Sequence, residues 1–307
     1  MPNLNHQIKA SDIAHTEKIY EIHMNSPLLL AINMMTSMQN IYRLTVVDAK
    51  RCVRGVLSCL RVLDVLAGRK GEGIKKRSGK GFEPLLKQPI HLFINEYLHK
   101  LSLDIPLKGV ISYIMENQIG HIVLVDQMNV MRGVITERCI LDRLSLKNVN
   151  MKIEKLMETD IYSLTHNNTI VDAIVEMSSH RIRRLPILED GQLKGVITAT
   201  DILRHLILSG YHVEAVLAKK DFDHFLYDSI KSIDFEKPDA LKLGDDLQKL
   251  LKKYRESDIN AFLVLDHSDN VAGIVTSRDL VTKLPRLIGL ERFFDLISQD
   301  KINKRSL

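Results

Sequence analysis

Two short strings in the C-terminal half set a hydroxyl and a carboxylate three residues apart: Thr198-Ala199-Thr200-Asp201 and Thr276-Ser277-Arg278-Asp279. Each follows an apolar run and opens an amphipathic stretch, which is the start of a helix. Backbone N–H groups are unpaired there and the dipole end is positive, so a phosphate beside Thr198 or Thr276 meets ready donors. Asp201 or Asp279 then offers two acceptor oxygens, which suits the vicinal hydroxyls of a ribose. Upstream stand Arg183 and Arg184, whose guanidinium forks match phosphate geometry. The same residues have a purely structural reading. Thr-x-x-Asp is also a capping box worth about 0.5–2 kcal/mol, and paired arginines can guard a strand edge.

The elements that must hold these groups are legible around the third string. Ile170, Ala173, Ile174 and Met177 fall at i, i+3, i+4 and i+7 after Thr169, which predicts a helix with one apolar face. Leu185 to Leu188 form a β-run, Asp190-Gly191 a hairpin turn, and Leu193 to Ile197 the return strand. Thr198 caps a last helix through Ile202, Leu203, Leu206 and Ile207, stopped by Gly210. The unit is strand, helix, strand, strand, helix.

That unit occurs four times. Gly55-Val56-Leu57-Ser58, Gly133-Val134-Ile135-Thr136, Gly195-Val196-Ile197-Thr198 and Gly273-Ile274-Val275-Thr276 recur at spacings of 78, 62 and 78 residues. The chain is therefore a pair of pairs, an internal duplication of the kind that fixes a fold. One unit exposes an apolar sheet face that it cannot cover alone, so the copies are expected to pack in pairs, sheet against sheet.

Composition narrows the classes. The 307 residues carry 43 Lys plus Arg against 38 Asp plus Glu, a formal net charge of +5, with 45% hydrophobic and 26% charged residues. These are globular values that exclude fibrous and wholly disordered chains. Aromatics are 5% with no Trp, so stacking platforms for single-stranded nucleic acid are sparse. The three cysteines, Cys52, Cys59 and Cys139, form no C-x-x-C pair, and neither a disulfide framework nor a zinc site is expected. No Walker, H-E-x-x-H or G-x-S-x-G motif occurs, so neither a metal nor a catalytic centre is expected. With no signal peptide and no apolar run approaching the ~20 residues of a membrane span, the expected location is cytoplasmic.

The repeated pattern resembles the cystathionine beta-synthase (CBS) domain, with its basic strand entry followed by proline and its G-h-h-T/S-x-x-D helix start. Copy three matches at His180 to Ile187 and Gly195 to Asp201, and copy four at Gly273 to Asp279. Four such copies resemble two Bateman modules, the layout of the gamma subunit of AMP-activated kinase. The resemblance implies an α/β (α+β) fold of four βαββα repeats packed as two pairs in a disc, closed within one chain or between two chains as a homodimer. It also implies an adenosine ligand (AMP, ADP, ATP, S-adenosylmethionine or NAD) in clefts between paired repeats. The ligand residues that it suggests are Arg183, Arg184, Pro186, Ile187, Thr198 and Asp201 of copy three with Asn260, Thr276 and Asp279 of copy four. The expected role is a sensor that passes adenine-nucleotide occupancy to a regulated protein partner.

Copies one and two depart at the acid, where Arg61 and Cys139 stand. A possible second site comprises Tyr42, Arg43, Ser58, Arg61, His121 and Thr136, with Tyr42-Arg43 and Gly120-His121 aligned to Arg183-Arg184. The C-terminal pair is thus expected to bind nucleotide and the N-terminal pair to be mainly structural. The implied divisions are repeat one at 1–66, a basic Gly-rich loop and connector at 67–92, repeat two at 93–146 and repeat three at 150–210. A connector with repeat four follows at 211–286, then a C-terminal helix and basic tail at 287–307. Residues 68–81 hold five glycines and six basic residues against one acid, which equals the net charge of the whole chain. The alternative function is an RNA- or ribosome-associated factor that uses this loop, with nucleotide as regulator.

Overall fold

The computed structural model describes residues 8–16, 19–37, 41–67, 83–94, 98–146, 149–208, 222–235, 239–257 and 259–297. Eleven strands are described: β1 (Glu21–His23), β2 (Arg43–Val47), β3 (Val53–Ser58), β4 (Lys100–Ser102), β5 (His121–Val125), β6 (Met131–Thr136), β7 (Arg184–Glu189), β8 (Gln192–Thr198), β9 (Leu241–Lys242), β10 (Ala261–Leu265) and β11 (Val271–Thr276). The eight repeat helices are α1 (Leu28–Ser37), α2 (Cys59–Ala67), α3 (Leu107–Asn117), α4 (Glu137–Leu141), α5 (Ile170–His180), α6 (Ala199–Leu208), α7 (Leu247–Glu256) and α8 (Ser277–Thr282).

All four copies follow the expected grammar. In copies one, two and four a short first strand runs parallel to the second, and the second pairs antiparallel with the third. In copy three the first strand is reduced to one parallel bridge, Leu164 to Ile187, closed by Leu164 N donating to Pro186 O at 2.9 Å. Each hairpin breaks register near the turn, between Val46 and Val47, Leu124 and Val125, Ile187 and Leu188, and Val264 and Leu265. The Asp190-Gly191 turn has φ of 52° and 78°, the pair of positive values that its sequence predicts.

The other three hairpins turn by a device that the sequence reading overlooked. Asp48, Asp126 and Asp266 each accept two backbone N–H bonds, from the residues two and four positions on, and each such turn holds a positive-φ residue at Arg51, Asn129 or Asp269. These carboxyls titrate below the ordinary Asp range. The Val130 N–H is the main cause at Asp126 and the Asn270 N–H at Asp266. A depressed folded-state pKa gives stability that is present above the unfolded value, about 3.9, and lost as pH falls through the folded one. Asp126→Asn and Asp266→Asn should therefore flatten the acid limb of a urea-midpoint profile from pH 7 downwards.

The copies group into two compact units, and the grouping interleaves along the chain. Unit I is Tyr20–Tyr97 with Tyr162–Pro238, which are copies one and three. Unit II is Met1–Ile19, Leu98–Ile161 and Asp239–Leu307, which hold copies two and four. Within unit I the copies meet helix on helix, α2 against α5 and α6, and α1 against α6, so that the first helix of each copy lies on the last helix of the other. Within unit II, α8 packs on α3 and α4. Strand residues of both copies enter one buried core, Leu44, Val46 and Leu57 of copy one with Leu185, Ile187 and Ile197 of copy three. The helices complete that core, with Val62, Leu63 and Leu66 beside Ile170, Ile174 and Met177. A division of the chain at residue 150 cuts through both units.

The terminal segments correct two further boundaries. Residues 8–16, read with repeat one, pack in unit II, where Ala10 N donates to Ile105 O at 2.9 Å and His15 pairs with Val134. The C-terminal apolar patch forms two short helices, Leu284–Ile288 and Leu290–Asp295, broken at Gly289, whose φ is 89°. They bury Phe293, Phe294 and Ile297 in the unit II core, so the patch docks on its own chain. The stop at Gly210, the basic segment 68–81 and the basic residues 301–305 lie outside the described residues.

The repeated glycine also gains a structural explanation. In copy four, Glu158 and Ile274 exchange backbone hydrogen bonds of 2.8 and 2.9 Å, which brings the incoming chain directly over Gly273. A Cβ there would lie 2.9 Å from Glu158 O and 2.8 Å from Met157 Sδ. At Gly133 the corresponding distances are 3.2 Å to Ala14 Cβ and 3.4 Å to His15 O. Gly273→Ala should therefore cost about 1–3 kcal/mol in chemical denaturation, with Gly133→Ala milder.

Candidate functional site

The repeated geometry places equivalent side chains at one point in each copy. The residue before the central strand accepts a backbone hydrogen bond from the first residue of the last helix: Cys59 N to Tyr42 O at 3.0 Å, Ala199 N to Arg183 O at 2.9 Å, and Ser277 N to Asn260 O at 3.0 Å. Arg43 and Arg184 then open their strands directly opposite Ser58 and Thr198. Since copies one and three share unit I, the strand entries of both converge.

The result is a cluster of cations on one ring. The Arg183 guanidinium carbon lies 4.7 Å from the Tyr42 ring centroid and that of Arg184 5.6 Å. Arg184 Nη2 also donates to Tyr42 Oη at 3.2 Å. Cation–π contact of this kind contributes roughly 0.5–2 kcal/mol, and the Asp201 charge adds a weaker attraction at Arg184. Among the described residues no carboxylate forms an ion pair with either arginine. Burial chiefly lowers the Arg184 pKa from its ordinary value, and the neighbouring Arg183 charge adds to the shift. Below them the Cys59 thiol is buried, and that burial pushes its pKa up against the opposing pull of Arg183 and Arg43. The Thr200 hydroxyl is buried beside the Cys59 thiol, whose pKa it pulls down. The sequence reading passed over Thr200, although it stands beside Asp201 in the helix-start motif.

The acids behave differently from their predicted role. Asp201 Oδ2 accepts from Thr198 N at 3.0 Å and Thr198 Oγ1 at 2.6 Å, while Oδ1 accepts from Arg204 at 3.0 Å. Asp279 repeats this with Thr276 at 2.7 Å for both bonds, and its other oxygen pairs with Lys283 at 3.0 Å. The capping box is thus the role both acids fill here. In copy one, Ser58 Oγ accepts from Arg61 N at 3.1 Å, and Arg61 itself binds Phe93 O and Asp64 at 2.9 and 3.1 Å. In copy two a thiol completes the box, with Thr136 N donating to Cys139 Sγ at 3.4 Å.

The structure therefore regroups the sequence-derived site residues. Arg183, Arg184, Pro186, Ile187, Thr198 and Asp201 lie in unit I, together with Tyr42, Arg43, Ser58 and Arg61 of the suggested second site. Asn260, Thr276 and Asp279 lie in unit II with His121 and Thr136. Ile187 is fully buried in the unit I core and serves packing.

Comparison with known proteins agrees with this architecture. The sequence profile of the CBS domain matches residues 153–208 and 230–286, which are copies three and four. Those two segments are CBS domains. Two archaeal relatives align with most of the chain. An uncharacterized 33.4 kDa protein encoded in a ribosomal RNA operon of Thermofilum pendens is 27% identical over 288 residues, covering 88% of this chain and 90% of that one. The uncharacterized protein MJ1225 of Methanocaldococcus jannaschii is 25% identical over 286 residues, covering 89% and 98%. The crystal structure of MJ1225 superposes with a TM-score of 0.81 over 89% of this chain and 99% of that one, at 23% identity, and so shares the fold. Among the described residues no helix is long and apolar enough to cross a membrane.

Proposed function

We propose that this CBS protein is a regulatory sensor of adenosine phosphates, and that the phosphate is recognised in unit I by Arg183 and Arg184 with Arg43 and Thr200 beside them. The observation that carries this reading is the pair of arginines fixed side by side on Tyr42 with no carboxylate between them. Two like charges partly withdrawn from water are unfavourable until an anion joins them, and a phosphate satisfies both forks with charge-assisted bonds. This chemistry favours AMP, ADP, ATP or NAD over S-adenosylmethionine, whose sulfonium adds a cation. Occupancy shifts the protein between packings by no more than the ligand's difference in affinity for them, and a partner protein reads that shift. Isothermal titration with the five ligands and inorganic phosphate tests the reading. Binding by the phosphate-bearing nucleotides supports it, and no binding by any of them overturns it.

A further inference from the structure

At the point where unit I gathers cations, unit II carries a carboxylate. In three copies a larger side chain at the strand entry faces a small one at the helix start: Tyr42 with Cys59, Arg183 with Ala199, Asn260 with Ser277. Copy two reverses the sizes, with Gly120 at the entry and Glu137 at the helix start. Glu137 uses the room this leaves. A Cβ built on Gly120 would lie 1.7 Å from Glu137 Oε1 and 2.2 Å from its Cδ, so the carboxylate rests where a strand-entry side chain would begin.

The surroundings show what this carboxylate does. Arg278, the second residue of α8, approaches it with Nε 3.7 Å from Oε1, and that Nε is buried without a hydrogen bond. Glu137 is mostly enclosed, its side chain 16% exposed. The adjacent Arg138 is committed elsewhere, to Asp142 at 3.2 Å and Ser257 O at 2.9 Å, with its guanidinium 5.0 Å from the Tyr254 ring centroid. Tyr254 senses the carboxylate, since burial first and the Glu137 charge second push its hydroxyl pKa upwards.

We infer that Glu137 is a built-in anion: it neutralises Arg278 and keeps phosphate-bearing ligands out of this end of unit II. Resting on the phosphate reading of unit I, this makes ligand occupancy asymmetric between the units. The charge at the shared position is inverted, so an incoming phosphate meets repulsion in unit II where it meets two guanidinium groups in unit I.

The test is Glu137→Gln, which keeps the shape and removes the charge, and Glu137→Ala, which also clears the space, both in the full chain. Titration with AMP should give one more bound nucleotide per chain than wild type. Inorganic phosphate at matched ionic strength should bind at least tenfold more tightly, and adding Arg278→Ala should cancel both gains. The same variants in an Arg183→Ala/Arg184→Ala background read unit II alone, so failure of the unit I assignment and failure of this inference give different results. A folded Glu137→Gln and Glu137→Ala with no gain in either background overturns the inference. So does a wild-type chain that loses bound AMP when Arg278 alone is replaced.

Discussion

Replacing Arg183 and Arg184 together by alanine should remove the proposed nucleotide binding while leaving the fold intact. Hydrogen bonds to charged groups contribute about 1.5–3 kcal/mol each, and every 1.4 kcal/mol is a factor of ten, so each arginine should carry roughly a ten- to hundredfold share of affinity. Stability should change little, because neither arginine forms an ion pair with a carboxylate among the described residues and the two guanidinium groups repel each other. Arg184→Lys is the sharper variant. It retains the charge but loses the fork and the bond to Tyr42 Oη, so affinity should fall despite an unchanged net charge. Titration calorimetry with circular dichroism melts would check both. Unaltered affinity in the folded double variant would place the phosphate elsewhere.

The second large effect concerns the half-chains 1–150 and 151–307, which should not fold as monomers. Each half contains one copy from each unit, so cutting the chain strips the helix faces that the partner copy covers. In unit I this uncovers Val62, Leu63 and Leu66 in one half and Ile170, Ile174 and Met177 in the other, all at 2% exposure or less in the intact protein. Burial of a large apolar side chain stabilises by about 1.5–3 kcal/mol, so the loss over these six is comparable to the whole net stability of a typical domain, about 5–15 kcal/mol. Size-exclusion chromatography with light scattering should show each half self-associated or unfolded, and mixing should restore a 1:1 complex. A monomeric half with the cooperativity of the full chain would refute the interleaved pairing. A comparison of nucleotide binding between halves is uninformative for the same reason, since it dismantles the units under test.

Legibility in the sequence followed the range of the interaction. The helix Ile170–His180 was readable because its cap and apolar stripe repeat within seven residues, and Thr169 does accept from Asp172 N at 3.3 Å. The Asp190-Gly191 turn was readable from two residues. The Asp48, Asp126 and Asp266 turns were equally local, and an Asp seven residues before Gly55, Gly133 and Gly273 was the signal that could have revealed them. Asp201 and Asp279 show the opposite case. Their sequence fits a ribose acceptor and a capping box alike, and only coordinates show which atoms satisfy the carboxylates.

The sequence by itself determined four copies of one βαββα unit, their helix starts, and the adjacency of Arg183 and Arg184 on which the phosphate proposal rests. These depend on contacts between residues few positions apart, where spacing and residue type leave little freedom. Tertiary structure alone decided that copy one joins copy three, that Tyr42 is the ring on which Arg183 and Arg184 are held, and that Glu137 fills the space above Gly120. The four copies present helix faces of nearly the same apolar character, so hydrophobic burial, which is non-directional, does not by itself choose among partners. That choice rests on side-chain fit between residues more than a hundred positions apart, which no local pattern records.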